Sequence, residues 1–431
     1  MKIIRNPAPY TWDNLIRRPA LETRLLDKTV RSILEDVKKN GDRAIIQYNR
    51  KFSGVDLEYF SVSREEVNRA ADQIDTELKS AIHIAAKNIE TFHRSQLIPE
   101  KKVETTSGVL CWRKQVAIEK VGLYIPGGSA PLFSTLLMLA IPAKIAGCAQ
   151  IILCSPPGKN GSLDAAILYS AQFLGVEQIY KIGGAQSIAA MAYGTETVPA
   201  VNKVFGPGNQ YVTLAKQMVN LSGTAIDLPA GPSEVAVIAD KSASASFIAA
   251  DLIAQAEHGL DSQVLLLTDH EPLIKNVQSE IEKQMADLPR AAIAEKSLMN
   301  SKLILFKNIA EAVTFSNHFA PEHLIVMTRN TDLIISEITN AGSVFIGEWT
   351  PEAAGDYASG TNHTLPTGGF ARSYSGVSLD SFYKNITFQK LSPAGIQNIG
   401  PVISTMAEAE QLAGHANSVN IRLKALSRRN Q

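Results

Sequence analysis

Lys203-Val-Phe-Gly-Pro-Gly-Asn-Gln-Tyr-Val-Thr-Leu-Ala-Lys-Gln-Met-Val-Asn-Leu221 reads as a short apolar strand, a glycine turn and a helix. The same succession recurs on both sides of it. Apolar runs at Ile151–Cys154, Gln178–Ile182, Val235–Ala239, Gln263–Thr268, Leu303–Phe306, His323–Met327 and Ser343–Ile346 are expected strands. Helical windows at Leu163–Leu174, Gln210–Leu221, Ser244–His258 and Pro272–Met285 separate them. Alternation of this kind predicts βαβ units and mainly parallel sheets. The runs fall into two sets, before and after Ala230-Gly231-Pro232, which predicts two α/β halves.

Outside this block the periodicity changes. The first hundred residues read as helix, with Leu25, Leu26, Val30, Ile33, Leu34 and Val37 at helical spacing and Gly41 as a stop. A second helix is expected over Arg64–Gln96, and a strand-like pattern runs from Val109 to Ile125. The tail from Val377 is polar and helical, and reads as an arm rather than a core element. No repeat or low-complexity segment interrupts the chain.

A chain of 431 residues suggests two or three domains, at roughly 150 residues each. Lys and Arg number 42 against 42 Asp and Glu, so the net charge is zero. Such balance leaves no electrostatic footprint for nucleic acid or an anionic membrane. Cys111, Cys148 and Cys154 form neither a CxxC pair nor a disulfide framework, and read as apolar packing residues in a reducing compartment. Met1–Trp12 lacks the apolar core of a signal peptide, and the most apolar stretch, Leu132–Ala149, is broken by Pro142 and Lys144. A soluble, cytoplasmic enzyme is the expectation.

Three strand ends run into glycine turns that open helices: Ile182-Gly-Gly-Ala-Gln186, Phe205-Gly-Pro-Gly-Asn209 and Ile125-Pro-Gly-Gly-Ser129. Free backbone N–H groups there can meet phosphate, although such turns also end strands for structural reasons alone. Gly206-Pro207-Gly208 begins a dinucleotide fingerprint, but Tyr211 stands where its third glycine belongs. Asp227, about twenty residues on, is a candidate for a ribose hydroxyl.

Gln255 and His258 stand i, i+3 on one helical face, and the plain alternative for His258 is service to the helix end before Gly259. Glu322-His323 sets an acid beside an imidazole at a strand entrance, as a proton-transfer pair or a solvated turn. Asp356, in Pro351-Glu-Ala-Ala-Gly-Asp356, is a loop carboxylate or a cap. Glu410 and His415 lie on the tail, where an exposed charged face is the plain reading, and Asn362-His363 is structural or supports a site. Gln255, His258 and Asp356 with one more histidine would make a nitrogen-and-oxygen site suited to zinc.

The ordered motifs Gly122-Leu-Tyr-Ile-Pro-Gly-Gly128, Gly183-Gly-Ala-Gln186, Phe205-Gly-Pro-Gly-Asn209, Asp227-Leu-Pro-Ala-Gly-Pro-Ser-Glu234, Gln255-Ala-Glu-His258, Ala320-Pro-Glu-His323, Gly355-Asp-Tyr357 and Thr361-Asn-His-Thr-Leu-Pro-Thr-Gly-Gly369, with the Glu410…His415 pair, resemble the histidinol dehydrogenase family. The resemblance implies two incomplete Rossmann-like, aldehyde-dehydrogenase-like halves with parallel sheets, N-terminal helices and a C-terminal helical arm. It divides the chain into an N-terminal arm (1–22), a larger α/β domain (23–120 plus 232–376), an NAD-binding domain (121–231) and a dimerisation arm (377–431). The activity implied is zinc- and NAD-dependent oxidation of L-histidinol to L-histidine through L-histidinaldehyde, in a homodimer with one Zn2+ per subunit.

Position by position, the resemblance gives zinc to Gln255, His258, Asp356 and the second subunit's copy of His415, and proton transfer to Glu322 and His323. NAD contacts fall on Tyr124, Gln186 and Asn209. Substrate contacts fall on Ser233, Gln255, His258, His323, Asp356, Glu410 and His415. No cysteine is required by this chemistry, and none has a base beside it in sequence. The rival reading on the same scaffold is a zinc-dependent NAD dehydrogenase of another small polar alcohol; a metal-binding protein without catalysis is disfavoured by Glu322 and His323.

Overall fold

The computed structural model describes residues 1–18, 23–127, 131–229 and 231–429. Gly128 and Ser129 of the first glycine turn, Ala230 at the expected divide, and residue 22 at the expected edge of the N-terminal arm lie outside the described residues.

Two parallel sheets carry the chain, as the alternating pattern predicts. In the smaller, the strands run in the order Gln178–Lys181, Gln150–Ser155, Lys120–Tyr124, Lys203–Phe205, Ala225–Ile226. Numbered by sequence within this half, that is 3-2-1-4-5, the Rossmann order without its sixth strand. In the larger, Lys302–Leu305, Gln263–Thr268, Glu234–Ala239, His323–Met327 and Ser343–Ile346 repeat the same order. Lys2–Arg5 adds a further parallel strand at its edge, beside Lys302–Leu305. The α/β class with two incomplete Rossmann-like halves is therefore what the chain adopts.

The central strands of the larger sheet are buried on both faces, which is why they read as unbroken apolar runs. Side chains alternate between two cores: Val235, Val237 and Ala239 pack on one face with Ile248, Leu252 and Leu266. Ala236 and Ile238 pack on the other with Leu265, Phe315 and Phe319. The smaller sheet is covered by Thr23–Tyr48, Gly184–Tyr193 and Gln210–Leu221, whose Val30, Ile188 and Val212 meet Ile152 and Val204.

Several local expectations change. Gly41 does not stop its helix but kinks it (φ 51°, ψ −132°), and the run continues to Tyr48. The helix expected over Arg64–Gln96 is two, Arg64–Gln73 and Thr76–Arg94, because Asp75 caps the second by accepting from Leu78 N at 2.7 Å. Ser244–His258 ends earlier, at Ala256, with Glu257 as its cap.

Leu97–Ala117 and the segment from Tyr383 form a second compact unit. Its antiparallel sheet runs Tyr383–Leu391, Val109–Ala117, Lys102–Thr106, so the tail begins as a strand. It becomes helical at Pro393–Ala409 and Ala413–Arg429, and Asn398 Nδ2 donates to Ser107 O at 2.9 Å. Among the described residues, no helix is long and apolar enough to cross a membrane.

Candidate active site

A cavity of about 870 Å3 is lined from both parallel sheets of the first unit. The volume lies in the range of roughly 300–1,000 Å3 that small-molecule and cofactor sites occupy. From the smaller sheet come Pro126 and Pro207–Asn209, on turns that follow the first and fourth strands of its 3-2-1-4-5 order. That is the switch point at the carboxyl ends of the strands, where open α/β sheets bind ligands. The larger sheet contributes from its opposite, amino ends: Ser233 before Glu234–Ala239, and Glu322-His323 at the entrance to His323–Met327.

Glu234 orients the pair. Its backbone N–H donates to Glu322 Oε2 at 2.9 Å, and its carbonyl accepts from His323 Nδ1 at 3.2 Å. The Glu234 carboxylate, 1% exposed, accepts from Arg18 Nε at 2.7 Å and Nη2 at 2.9 Å, and from Gly368 N at 3.1 Å. Arg18 also donates to Phe319 O at 2.8 Å. With Nδ1–H committed to a carbonyl, His323 is the tautomer whose Nε2 carries the lone pair. That Nε2 is buried, has no hydrogen-bond partner among the described residues, and lies 3.8 Å from Asp356 Oδ1. Burial lowers the His323 pKa to about 4, so the ring is neutral at pH 7. Burial also raises the Glu322 carboxyl well above its ordinary range, helped by the charges of Glu234 and Asp356.

His258 lies just past the helix Ala245–Ala256, its N–H bonded to Gln255 O at 3.3 Å, so the i, i+3 spacing still brings the two together. Asp356 comes from the short helix Glu352–Tyr357. Ligand atoms of His258, Glu352 and Asp356 lie within 4.8 Å of one another. Two ligands on one tetrahedral zinc stand roughly 3.4 Å apart, so modest closure would bring this nitrogen-and-oxygen set onto an ion. Gln255 is fully buried, and turning its side-chain amide so that the nitrogen faces Glu352 gives a donation to Oε2 at 3.2 Å.

Glu352 was not singled out by sequence. It is 2% exposed, and burial together with Asp356, Glu322 and Asp251 pushes its carboxyl well up. The available signal was spacing: Glu352 and Asp356 stand i, i+4, as do Asp251 and Gln255 on the facing helix. Asp251 is buried, and burial raises its carboxyl to about 7. His363, left as a supporting residue, lines the cavity. Its Nδ1 donates to Asp356 O at 2.9 Å, and its Nε2 meets Thr135 Oγ1 at 3.0 Å.

The expected NAD positions separate. Asn209 lines the cavity and caps Gln210–Leu221, accepting from Tyr211 N at 3.0 Å and Val212 N at 3.2 Å. Tyr124 and Gln186 are buried and do not line the cavity. Tyr124 Oη accepts from Gly184 N at 3.3 Å, and Gln186 Oε1 is buried without a partner among the described residues. Asp227 is not available to a ribose: its carboxylate is fully buried and spent on Gly206 N, Leu228 N and Lys216. Glu410 and His415 are exposed on the second unit, Glu410 capping Pro393–Ala409. Cys154 lies in the strand Gln150–Ser155, fully buried, its thiol pushed far up by burial.

A buried neutral imidazole with a carboxyl beside it and a cation-ready cluster close by is the equipment of an enzyme, and no cysteine is among the described residues that line the cavity. The profile of the histidinol dehydrogenase family matches residues 16–423, and the chain belongs to that family of oxidoreductases. It is 58% identical over 426 residues to a histidinol dehydrogenase of Bacteroides thetaiotaomicron, covering 99% of this chain and all of the relative. Identity to the histidinol dehydrogenase of Escherichia coli K12 is 50% over 415 residues, covering 96% and 95% of the two chains. A crystal structure of histidinol dehydrogenase from Elizabethkingia anophelis superposes with a TM-score of 0.97 at 53% identity, covering 99% of each chain.

Proposed function

We propose that this protein oxidises L-histidinol to L-histidine through L-histidinaldehyde, the closing steps of histidine biosynthesis, using NAD and one zinc ion per subunit. The observation that carries this is His323: a neutral imidazole with an unpartnered Nε2 in the cavity that also gathers Gln255, His258 and Asp356. When bound, zinc holds the substrate's amine and imidazole nitrogens, and NAD accepts hydride. Gln255, His258 and Asp356 are the zinc ligands in this chain, and the second copy's His415 is the fourth. Tyr124, Gln186 and Asn209 serve NAD, and Tyr124 also holds Gly184 N in the turn that opens Gly184–Tyr193.

His323 Nε2 takes the hydroxyl proton as hydride leaves the carbinol carbon. The Glu322 carboxylate, made more basic by burial and held by Glu234 N, takes a proton from the water that adds to the aldehyde. A second hydride leaves the hydrate and gives the carboxylate, so two NAD are reduced per substrate. Ser233, Gln255, His258, His323 and Asp356, with Glu410 and His415 from the second copy's arm, position the substrate. The exposure of Glu410 and His415 on a separate compact unit supports their serving another copy in a homodimer. The same reading assigns 121–231 to NAD, 23–120 plus 232–376 to zinc and catalysis, 1–22 and 377–431 to arms, and the enzyme to the cytoplasm. No nucleic acid or membrane takes part in it.

The test is NADH formed per L-histidinol by purified protein, with and without a chelator. Two NADH per substrate, lost on chelation and restored by zinc, is the expected result. One NADH with release of the aldehyde would overturn the two-step reading.

A further inference from the structure

The loop Phe205–Asn209 carries the cavity's contribution from the smaller sheet, and its first glycine has an unusual set of holders. Gly206 N donates to Asp227 Oδ2 at 2.8 Å, and Gly206 O accepts from Lys216 Nζ at 2.8 Å. Lys216 and Asp227 in turn form an ion pair, with side chains 4% and 0% exposed. Asp227 Oδ1 also accepts from Leu228 N at 2.7 Å. Both polar groups of one backbone residue are thus clamped by the two members of one buried pair. Gly206 needs such a clamp. Its φ is +122°, a conformation side chains rarely adopt, and a Cβ there would sit 2.0 Å from Tyr124 O. With no side chain of its own to lock it, the turn is fixed only by what grips its backbone.

A buried ion pair is poor evidence of stabilisation in itself, since apolar residues of similar volume often do as well. What apolar residues cannot do is hold an N–H and a C=O in place. Pro207, Gly208 and Asn209, which follow directly, line the cavity and open the helix Gln210–Leu221.

We propose that Lys216 and Asp227 are positioning residues for dinucleotide binding: they touch no ligand, and set the affinity for NAD by fixing Gly206 and hence the loop after it. This rests on the reading of that loop as an NAD contact. It also gives Asp227 a role opposite to the one its spacing suggested, bracing the turn from behind rather than meeting a ribose.

The experiment measures the NAD dissociation constant of the zinc-loaded protein without histidinol, by titration calorimetry, together with amide exchange over 204–210 and the KM values for NAD and histidinol. Asp227→Asn is expected to weaken NAD about tenfold or more and speed exchange at 206–209, with the histidinol KM within about twofold. Lys216→Met/Asp227→Leu replaces the pair by apolar groups. It keeps the fold if Asp227→Asn does not, and should lose NAD affinity all the same. Asn209→Ala separates the two levels of the argument. If it weakens NAD while both pair variants bind normally, the positioning role is overturned and the loop reading stands. If all three bind NAD as the parent does, the loop reading itself is overturned. Loosened exchange with unchanged NAD affinity in the pair variants, beside a weakened Asn209→Ala, also overturns the positioning role.

Discussion

Replacing Arg18 by methionine probes how Glu322 and His323 are held. Arg18 donates four hydrogen bonds, two to a Glu234 carboxylate that is 1% exposed, one to Phe319 O and one to Ile16 O, and its guanidinium lies 3.9 Å from the centre of the Phe319 ring. Methionine fills much of the volume but leaves Glu234 with Gly368 N as its remaining hydrogen-bond donor among these contacts. Breaking a buried pair by removing one partner costs about 3–5 kcal/mol, because the other charge stays buried. With an unfolding entropy of roughly 2.1 cal/mol/K per residue over a unit of this size, Tm should fall by roughly 4–7 °C. Activity should fall further than stability implies. The Glu234 backbone supplies both the N–H on Glu322 and the carbonyl on His323, so a shift of about an ångström would cost on the order of 100-fold in turnover. Arg18→Met/Glu234→Gln, which removes both charges, should recover a large part of the lost Tm. Differential scanning calorimetry and steady-state turnover at 25 °C give the two readouts. An Arg18→Met protein melting within 1 °C of the parent at full turnover would refute the argument that this pair holds the catalytic geometry.

Four further outcomes are expected. Glu322→Gln keeps an acceptor for Glu234 N but cannot take a proton, so oxidation of L-histidinaldehyde should slow by on the order of 100-fold and that of L-histidinol by less than about tenfold; equal losses in single-turnover assays would remove the water-activating role. His258→Asn should lower zinc content, read by atomic absorption, and turnover together, and full zinc occupancy in this variant would count against ligation. Mixing inactive Glu322→Gln and Glu410→Ala chains after dissociation should restore about a quarter of parent activity if each arm completes the other copy's site, and none if the arm serves its own. A protein with Cys111, Cys148 and Cys154 all changed to alanine should turn over within about threefold of the parent; a folded but inactive triple variant would bring thiol chemistry back.

Strands buried on both faces were legible because short unbroken apolar runs such as Val264–Leu267 or Leu324–Val326 match their length, whereas the longer run Leu136–Ala143 is a buried helix. Tyr383–Leu391 was not, since seven of its nine residues are exposed and its pairing with Val109–Ala117 depends on a partner far away in sequence. Lys2–Arg5 escaped for a related reason: four residues at a sheet edge carry too little pattern to register. In the site, Glu322-His323 and the Gln255/His258 pair announce themselves by adjacency or by a helical step. Residues whose importance is a matter of meeting others stay silent. Glu352 becomes interesting only once its carboxyl is seen against Gln255 and Asp356, and Arg18 only once it grips Glu234. Asp227 shows the converse error, for spacing proposed a ligand contact where burial leaves none.

The edge position of Lys2–Arg5 has a consequence for the order in which the chain assembles. The five strands of the smaller sheet lie between Lys120 and Ile226, a nearly continuous stretch that can close on itself during synthesis. Among the described residues Lys2–Arg5 pairs with Lys302–Leu305 alone, so it must wait through roughly 300 residues of elongation before its ladder hydrogen bonds exist. Its backbone donors and acceptors stay open through that interval, in a segment that ends as the margin of the sheet holding Glu234 and His323. A strand so far in sequence from its partner is thus among the last to find its place.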